Sequence, residues 1–340
     1  MMDMTQSNIR QGHLQDVTPP TAVTRAADVS VIVVSWNVRL HLVNCLRALY
    51  SAPVSDGVRL EVIVVDNAST DGSPVAVGDF PATLIRNNTN LGYGRANNLG
   101  LRGASGRHLV VLNPDTIPQP GSLRHLIDFA DSRPNAGIVA PRLLNPDGTT
   151  QSAAFRFPTL AMSLLDLFPP PAWLPGRVRA GLIRSALNGR YPQEQDLAPF
   201  RIDHPLGACF LIKRTAYEQC GGFNEDIFMY SEEIDLALRY ARDGWECWQE
   251  PASQVVHLGG QSTAQIPDKM FGELWRSRLY IYDTYYTSLA AFALRTLLAA
   301  AMLKNIVSSV FARLLGREDK MQTRSQIRKW SAVLRLAVNR

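Results

Sequence analysis

The sequence predicts an α/β protein with a mostly parallel sheet, helices on both of its faces and a helical C-terminal extension. Three observations carry this. The runs V-S-V-I-V-V-S (Val29–Ser35) and L-E-V-I-V-V (Leu60–Val65) are continuously apolar and β-branched, as parallel strands buried on both faces are. Stripes at helical spacing separate such runs: Leu42, Cys45, Leu46 and Leu49 after the first, then Leu123, Leu126, Ile127 and Ala130 later. From Ser288 to Leu315 a long helix-periodic stretch takes over.

In order, the second strand ends at Asp66, Thr83–Arg86 makes a short third, and Ala96–Leu101 lies on a helix. His108–Leu112 is a fourth strand ending at Asn113-Pro114-Asp115. Gly137–Ala140 is a fifth, followed by the hairpin signal Asn145-Pro146-Asp147-Gly148. Gln254-Val255-Val256 is a late strand ending at His257. In sheets of this kind ligands bind beyond the carboxyl ends of the strands. Polar clusters stand there: Ser35-Trp36-Asn37, Asp66-Asn67 and Asn113-Pro114-Asp115.

The chain has 340 residues, 46% hydrophobic and 19% charged, so it is globular and long enough for one large or two small domains. The four cysteines, Cys45, Cys209, Cys220 and Cys247, show no metal-ligand spacing; Cys45 falls on a core stripe, and a reducing compartment is expected. Residues 1–28 lack the apolar core of a signal peptide and are expected to form a flexible polar leader.

The Ser288–Leu315 stretch is interrupted by Arg295, Lys304 and Arg313, which argues for an in-plane amphipathic or domain-packing helix. Leu303, Ile306, Val307, Val310 and Leu314 share one face, and Lys304, Asn305, Ser308 and Ser309 the other. The C-terminal end is basic: Arg313, Arg317, Lys320, Arg324, Arg328, Lys329, Arg335 and Arg340 face only Glu318 and Asp319. Such a tail suits anionic lipid or nucleic acid, or is a solvated helix face. The apolar, proline-rich run Phe168–Pro175 reads as an acceptor lid, a lipid-facing loop or a plain surface excursion.

The densest chemistry lies in Met229-Tyr230-Ser231-Glu232-Glu233-Ile234-Asp235-Leu236. Ile234, Ala237, Leu238 and Ala241 repeat at helical spacing, which places three carboxylates on a first helical turn. Carboxylates there serve general-base or metal chemistry, or only complement the helix dipole. No G-x-G-x-x-G follows the first strand and no P-loop occurs, which argues against a dinucleotide or P-loop site. A nucleotidyltransferase would need a glycine-rich, basic loop where Ser35-Trp36-Asn37-Val38-Arg39 stands.

Five blocks in order now carry a resemblance: V-S-V-I-V-V-S-W-N, V-I-V-V-D-N-A-S-T-D-G-S, N-L-G-Y-G-R-A-N-N-L-G, L-N-P-D-T and F-N-E-D-I-F-M-Y-S-E-E-I-D-L-A-L-R. From about Val29 to about Ser262 the chain resembles a family-2 glycosyltransferase with the Rossmann-like GT-A fold, of the rhamnosyltransferase-like branch. The resemblance implies a domain over residues 29–265, with a nucleotide half at 29–141 and an acceptor half at 142–265, before a basic helical segment at 266–340.

By the same resemblance Asp66 accepts from the N3–H of a uracil or thymine, an acceptor role that suits a carboxylate; a strand-end Asx turn is the alternative. Asn113 and Asp115 match the family's D-x-D position, with Asn in the first place. Asp115 and His257 would hold Mn²⁺ or Mg²⁺ against the donor diphosphate. Ser35, Asn37 and Asn67 join the nucleotide-sugar site, as do Arg95 and Asn98 of the glycine block. Gly207 and Ala208 lie near the acceptor. Glu233 stands where the family has the acidic general base, usually Asp, with Glu232 as the other candidate; Asp235 supports the site or caps the helix. Trp36 stacks near the base or packs in the core.

The expected reaction is inverting transfer of a sugar, L-rhamnose above others, from a dTDP or UDP donor to a hydroxyl of a glycan or polyprenyl-linked acceptor. The alternative is a catalytically inactive nucleotide-sugar-binding protein. The expected place is the cytoplasm, peripheral on the inner membrane face through residues 288–340, with no nucleic acid partner; a homo-oligomer stays open.

Overall fold

The computed structural model describes residues 27–51, 57–183, 185–259, 265–317 and 319–339. The leader expected over residues 1–28 falls almost wholly outside the described residues, as does Ser262 at the end of the resemblance.

The first half alternates as predicted: β1 (Val29–Ser35), α1 (Arg39–Leu49), β2 (Leu60–Asp66), α2 (Ser73–Val77), β3 (Thr83–Arg86), α3 (Tyr93–Gly103) and β4 (His108–Leu112). There follow β5 (Thr116–Pro118), α4 (Ser122–Ser132), β6 (Ala136–Leu144), β7 (Ala154–Phe155), α5 (Leu160–Leu167), α6 (Gly176–Ile183), β8 (Phe200–Ile202), β9 (His204–Pro205), β10 (Cys209–Lys213) and α7 (Arg214–Cys220). Then come α8 (Glu232–Arg242), β11 (Glu246–His257), α9 (Pro267–Tyr285), α10 (Ser288–Leu314) and α11 (Lys320–Val338).

Nine strands form one sheet in the order β3-β2-β1-β4-β10-β6-β11-β5, with β8 also on β11. Strand β1 pairs in parallel with both β2 and β4, and Ser35 stands opposite Asp66. The chain order therefore reverses at β1, and a crevice opens beyond its carboxyl end. The predicted parallel sheet is interrupted by β10, which runs antiparallel between β4 and β6. The fifth predicted strand is longer than its apolar run, and the late one is the end of the 12-residue β11. A register shift between Glu250 and Gln254 accommodates Pro251, which has no ladder donor.

The period of two along β1 builds two cores. Val29, Val31 and Val33 pack with Leu42, Cys45, Leu46 and Leu49 of α1 and with Leu126 and Ile127 of α4. Ile32 belongs to the opposite face, with Val65, Leu101, Phe210, Leu236 and Tyr240. A third core joins α9, α10 and α11 through Trp275, Leu279, Tyr282, Leu294, Leu298, Met302 and Val333, with Phe168 packed against it.

Two helices present faces other than those the apolar spacing indicated. In α8 the buried side is Glu232, Asp235, Leu236, Ala237 and Tyr240, while Ile234 and Leu238 are half-buried and Ala241 is exposed. Asp235 goes inward because Arg239 Nε donates to it at 2.8 Å and the Tyr285 hydroxyl at 2.6 Å. In α10, Ser309 of the polar face is buried and donates to Gln326 of α11 at 2.7 Å. Leu303, Val307, Val310 and Leu314 of the apolar face are exposed.

Candidate active site

The loops at the carboxyl ends of β1, β2 and β4 and the start of α8 enclose a cavity of about 280 Å³. Of the residues singled out in the sequence, Asn67, Asn113, Asp115, Gly207, Ala208, Glu232, Glu233 and His257 line it, and so does Trp36. Ser35, Asn37, Asp66, Arg95 and Asn98 do not.

At one wall, β4 and β11 deliver Asp115 and His257 side by side. Both are buried, with His257 Nε2 3.6 Å from Asp115 Oδ1. The other ring nitrogen, Nδ1, donates to Gln151 Oε1 at 2.7 Å. That bond leaves Nε2 as the lone-pair nitrogen of a neutral ring. Burial holds the ring's pKa below its usual value, against the pull of Asp115. A lone pair thus faces a carboxylate, an arrangement that suits a shared cation. Among the described residues no three His, Cys, Asp or Glu gather at one point, so other ligands would have to come from substrate or water. Asn113 is fixed through its backbone: its N–H donates to Ala208 O at 2.8 Å, and its carbonyl accepts from Thr116 Oγ1 at 2.5 Å.

At another wall stand the two glutamates. Glu232 is buried, and its Oε1 has no hydrogen-bond partner. Burial first, and the neighbouring Glu233 second, push its carboxyl well above the usual range. Glu233 is half-buried, and burial raises it to about 7. Burial thus raises both carboxyls, and Glu233, at about 7, can exchange its proton near neutrality. A Cβ on Gly207 would stand 3.6 Å from Glu233 Oε2, so glycine there keeps open the space before that carboxylate.

The residues outside the cavity, together with Asn67 on its wall, mostly build its frame. Asp66 is buried; its Oδ2 accepts from Ser69 N at 3.1 Å, while Oδ1 has no partner. The Asx turn is therefore present and still leaves one acceptor. Ser35, opposite it, is buried with its Oγ also unpartnered. Asn37 ties the loops after β1 and β2 together, accepting from Thr70 N at 2.8 Å through Oδ1. Asn67 spans the glycine block, donating to Gly92 O at 3.0 Å and accepting from Asn87 Nδ2 at 2.9 Å. Arg95 and Asn98, expected at the donor, turn instead to the loop before α8. Arg95 donates to Glu225 O at 2.8 Å; Asn98 donates to Phe223 O and accepts from Phe223 N, each at 2.9 Å.

The same loop seals the glycine block. Gly92 has φ +85, and a Cβ there would stand 2.3 Å from Phe228 O. Next to it Tyr93, which sequence reasoning passed over, lines the cavity and donates to Gly207 O at 2.5 Å. An aromatic residue between two glycines was the available signal. Asn37, Ala68, Tyr230 and Ser231 are the non-glycine residues with left-handed backbone among those described. They stand after β1, after β2 and before α8, where strain concentrates at functional sites. Helix α9 braces this loop: Ser277 Oγ donates to Met229 O at 2.8 Å, and Asn224 Nδ2 donates to the Tyr280 hydroxyl at 2.6 Å.

Sheet order, crevice and site together define a GT-A-like protein. Residues 30–221 match the family described as glycosyl transferase family 2. The chain belongs to that family and is an enzyme of its rhamnosyltransferase-like branch. It is 34% identical over 257 residues to an N-acetylglucosaminyl-diphospho-decaprenol L-rhamnosyltransferase of Mycobacterium tuberculosis, covering 70% of this chain and 78% of that one. It is 29% identical to the low-salt glycan biosynthesis hexosyltransferase Agl10 of Haloferax volcanii, over 72% of this chain and 71% of the relative. The fold matches a mannosyltransferase from Pyrobaculum calidifontis solved with GDP-Man and Mn²⁺. That match has a TM-score of 0.52 and 20% identity, and covers 95% of this chain and 90% of the other.

Proposed function

We propose that the protein is an inverting, metal-dependent rhamnosyltransferase that uses a dTDP- or UDP-sugar and a lipid-linked glycan acceptor. The observation that carries this reading is one cavity holding both the Asp115–His257 pair and a carboxylate, Glu233, raised to about 7. The relative whose name specifies N-acetylglucosaminyl-diphospho-decaprenol supports rhamnose as the sugar and a polyprenyl-linked acceptor.

Asp115 and His257 would hold Mn²⁺ or Mg²⁺, which would neutralise the departing diphosphate. Asp66 Oδ1 accepts from the base N3–H. Glu233, ionised, takes the proton of the acceptor hydroxyl as that oxygen bonds to the anomeric carbon and the diphosphate leaves from the opposite face. Glu232, protonated, adds no second negative charge beside the base. Catalysis belongs to residues 29–265, nucleotide half 29–141 and acceptor half 142–265, with 266–340 as a basic helical segment at the cytoplasmic membrane face.

The test is turnover of dTDP-L-rhamnose or UDP-sugars with a polyprenyl-diphosphate N-acetylglucosamine, with Mn²⁺, with Mg²⁺ and with chelator. Metal-dependent transfer with inverted product supports the proposal. Nucleotide binding without transfer or donor hydrolysis favours the inactive binder.

A further inference from the structure

We propose that the protein docks on an anionic lipid bilayer through a surface made of two segments remote in sequence, the excursion 168–183 and the C-terminal half of α10. The two meet in the fold. Phe168 packs against the C-terminal core, and the Lys304 ammonium lies 5.3 Å from the centre of its ring. On the excursion Trp173 is 79% exposed, and Val178 and Ile183 are exposed beyond it. On α10, Leu303, Val307, Phe311 and Leu314 fall on one face, with Phe311 60% and Leu314 74% exposed. Ser309, on the other side of the helix, is the buried residue there, bonded to Gln326. Ile306 is only half-buried beside it, so most of the apolar face of this half of the helix turns outward, the reverse of what water favours. Apolar patches of this kind mark docking sites.

Charge selects the occupant. Residues 168–183 and 303–317 contain no Asp or Glu, and they carry Arg177, Arg179, Lys304, Arg313 and Arg317. Apolar side chains among cations, with no anion, suit insertion at an anionic headgroup layer.

The mode is in-plane. By length and composition alone α10 could cross a membrane. Its N-terminal half is committed to the protein, however: Ala291, Leu294, Leu298 and Met302 are buried. Arg295 also bonds Asp283 Oδ2 at 2.5 Å and the carbonyls of Leu336 and Asn339. Crossing would break that ion pair and strip the bundle.

The test is flotation of the full chain with phosphatidylcholine vesicles containing or lacking phosphatidylglycerol, at low and high salt. No glycolipid is present, so the outcome is independent of the glycosyl-transfer reading. The parent protein should float with the anionic vesicles and not with the neutral ones, and high salt should weaken the binding. F311S/L314S and W173A should each cut binding about tenfold or more, and R313Q/R317Q roughly thirtyfold. All these positions are on the surface, and unchanged melting temperatures verify the fold. Flotation of every variant as well as the parent would overturn the proposal, as would failure of the parent to bind anionic vesicles. A parent that is a lipid-indifferent dimer, made monomeric by F311S/L314S, would also overturn it and make the face an interface between copies.

Discussion

Gln151 Oε1 and His257 Nδ1 lie 2.7 Å apart, and this bond decides which ring nitrogen faces Asp115. Gln151 is itself held, since its amide donates to Asn145 Oδ1 at 3.0 Å within the turn after β6. The turn that the sequence marks as a hairpin signal thus orients a candidate metal ligand. Gln151→Ala should weaken Mn²⁺ affinity about 10- to 100-fold, the usual cost of losing such a support. Titration calorimetry with Mn²⁺ in the presence of dTDP or UDP measures it; unchanged affinity would show that Gln151 does not act through His257.

Glu233 sets a pH dependence of definite sign. As a base it must be ionised, so kcat/KM should rise with pH through an apparent pKa near 7. For stability the sign is opposite. A carboxylate raised in the folded state binds its proton more tightly there, so its contribution favours folding at low pH and declines as pH rises from the unfolded value through about 7. Glu233→Gln should therefore abolish turnover, keep nucleotide binding, and stabilise the fold at pH 8 by roughly 2 kcal/mol or less, because cavity water screens a half-buried group. Thermal unfolding at pH 5 and 8 separates these effects; a loss of stability at pH 8 would contradict the burial argument.

Asp66 should read the nucleobase through its unpartnered Oδ1. Asp66→Asn keeps one oxygen for Ser69 and turns an amide donor toward the base. UDP and dTDP binding should fall by about 1.5–3 kcal/mol, roughly ten- to a hundredfold in Kd. CDP, whose ring N3 is an acceptor, should not lose affinity. Equal losses for UDP and CDP would place Asp66 in the turn alone.

Tyr285 links α9 to α8 through its 2.6 Å bond to the buried Asp235. Tyr285→Phe removes one donor from a carboxylate that retains Arg239, so it should cost about 1–3 kcal/mol. Urea unfolding gives the stability change. A fall in kcat with KM unchanged would show that the brace positions the glutamates. An unaltered unfolding midpoint would mean that Arg239 alone suffices.

The parallel half of the sheet was legible in the sequence because doubly buried strands need unbroken β-branched runs, and because polar residues gather where those strands end. The same logic set Asp115 and His257 at strand ends, and helical spacing set Glu232, Glu233 and Asp235 on the first turn of α8. The antiparallel β10 was not legible, since its C-F-L-I-K run has no period that distinguishes direction.

Within the motifs, tertiary packing sorted the residues that line the cavity from those that build its frame. Asn67 lines the cavity while spanning the glycine block, and Asn37 ties two loops together; Arg95 and Asn98 are spent on the loop before α8. An amide that binds a ligand and one that closes a turn have the same side chain, and only their neighbours tell them apart. Gln151 meets His257 across 106 residues and Tyr285 meets Asp235 across 50, separations no local pattern encodes. The outward apolar face of α10 has the same origin. Helical spacing states which residues share a face, but the bundle decides which face it covers.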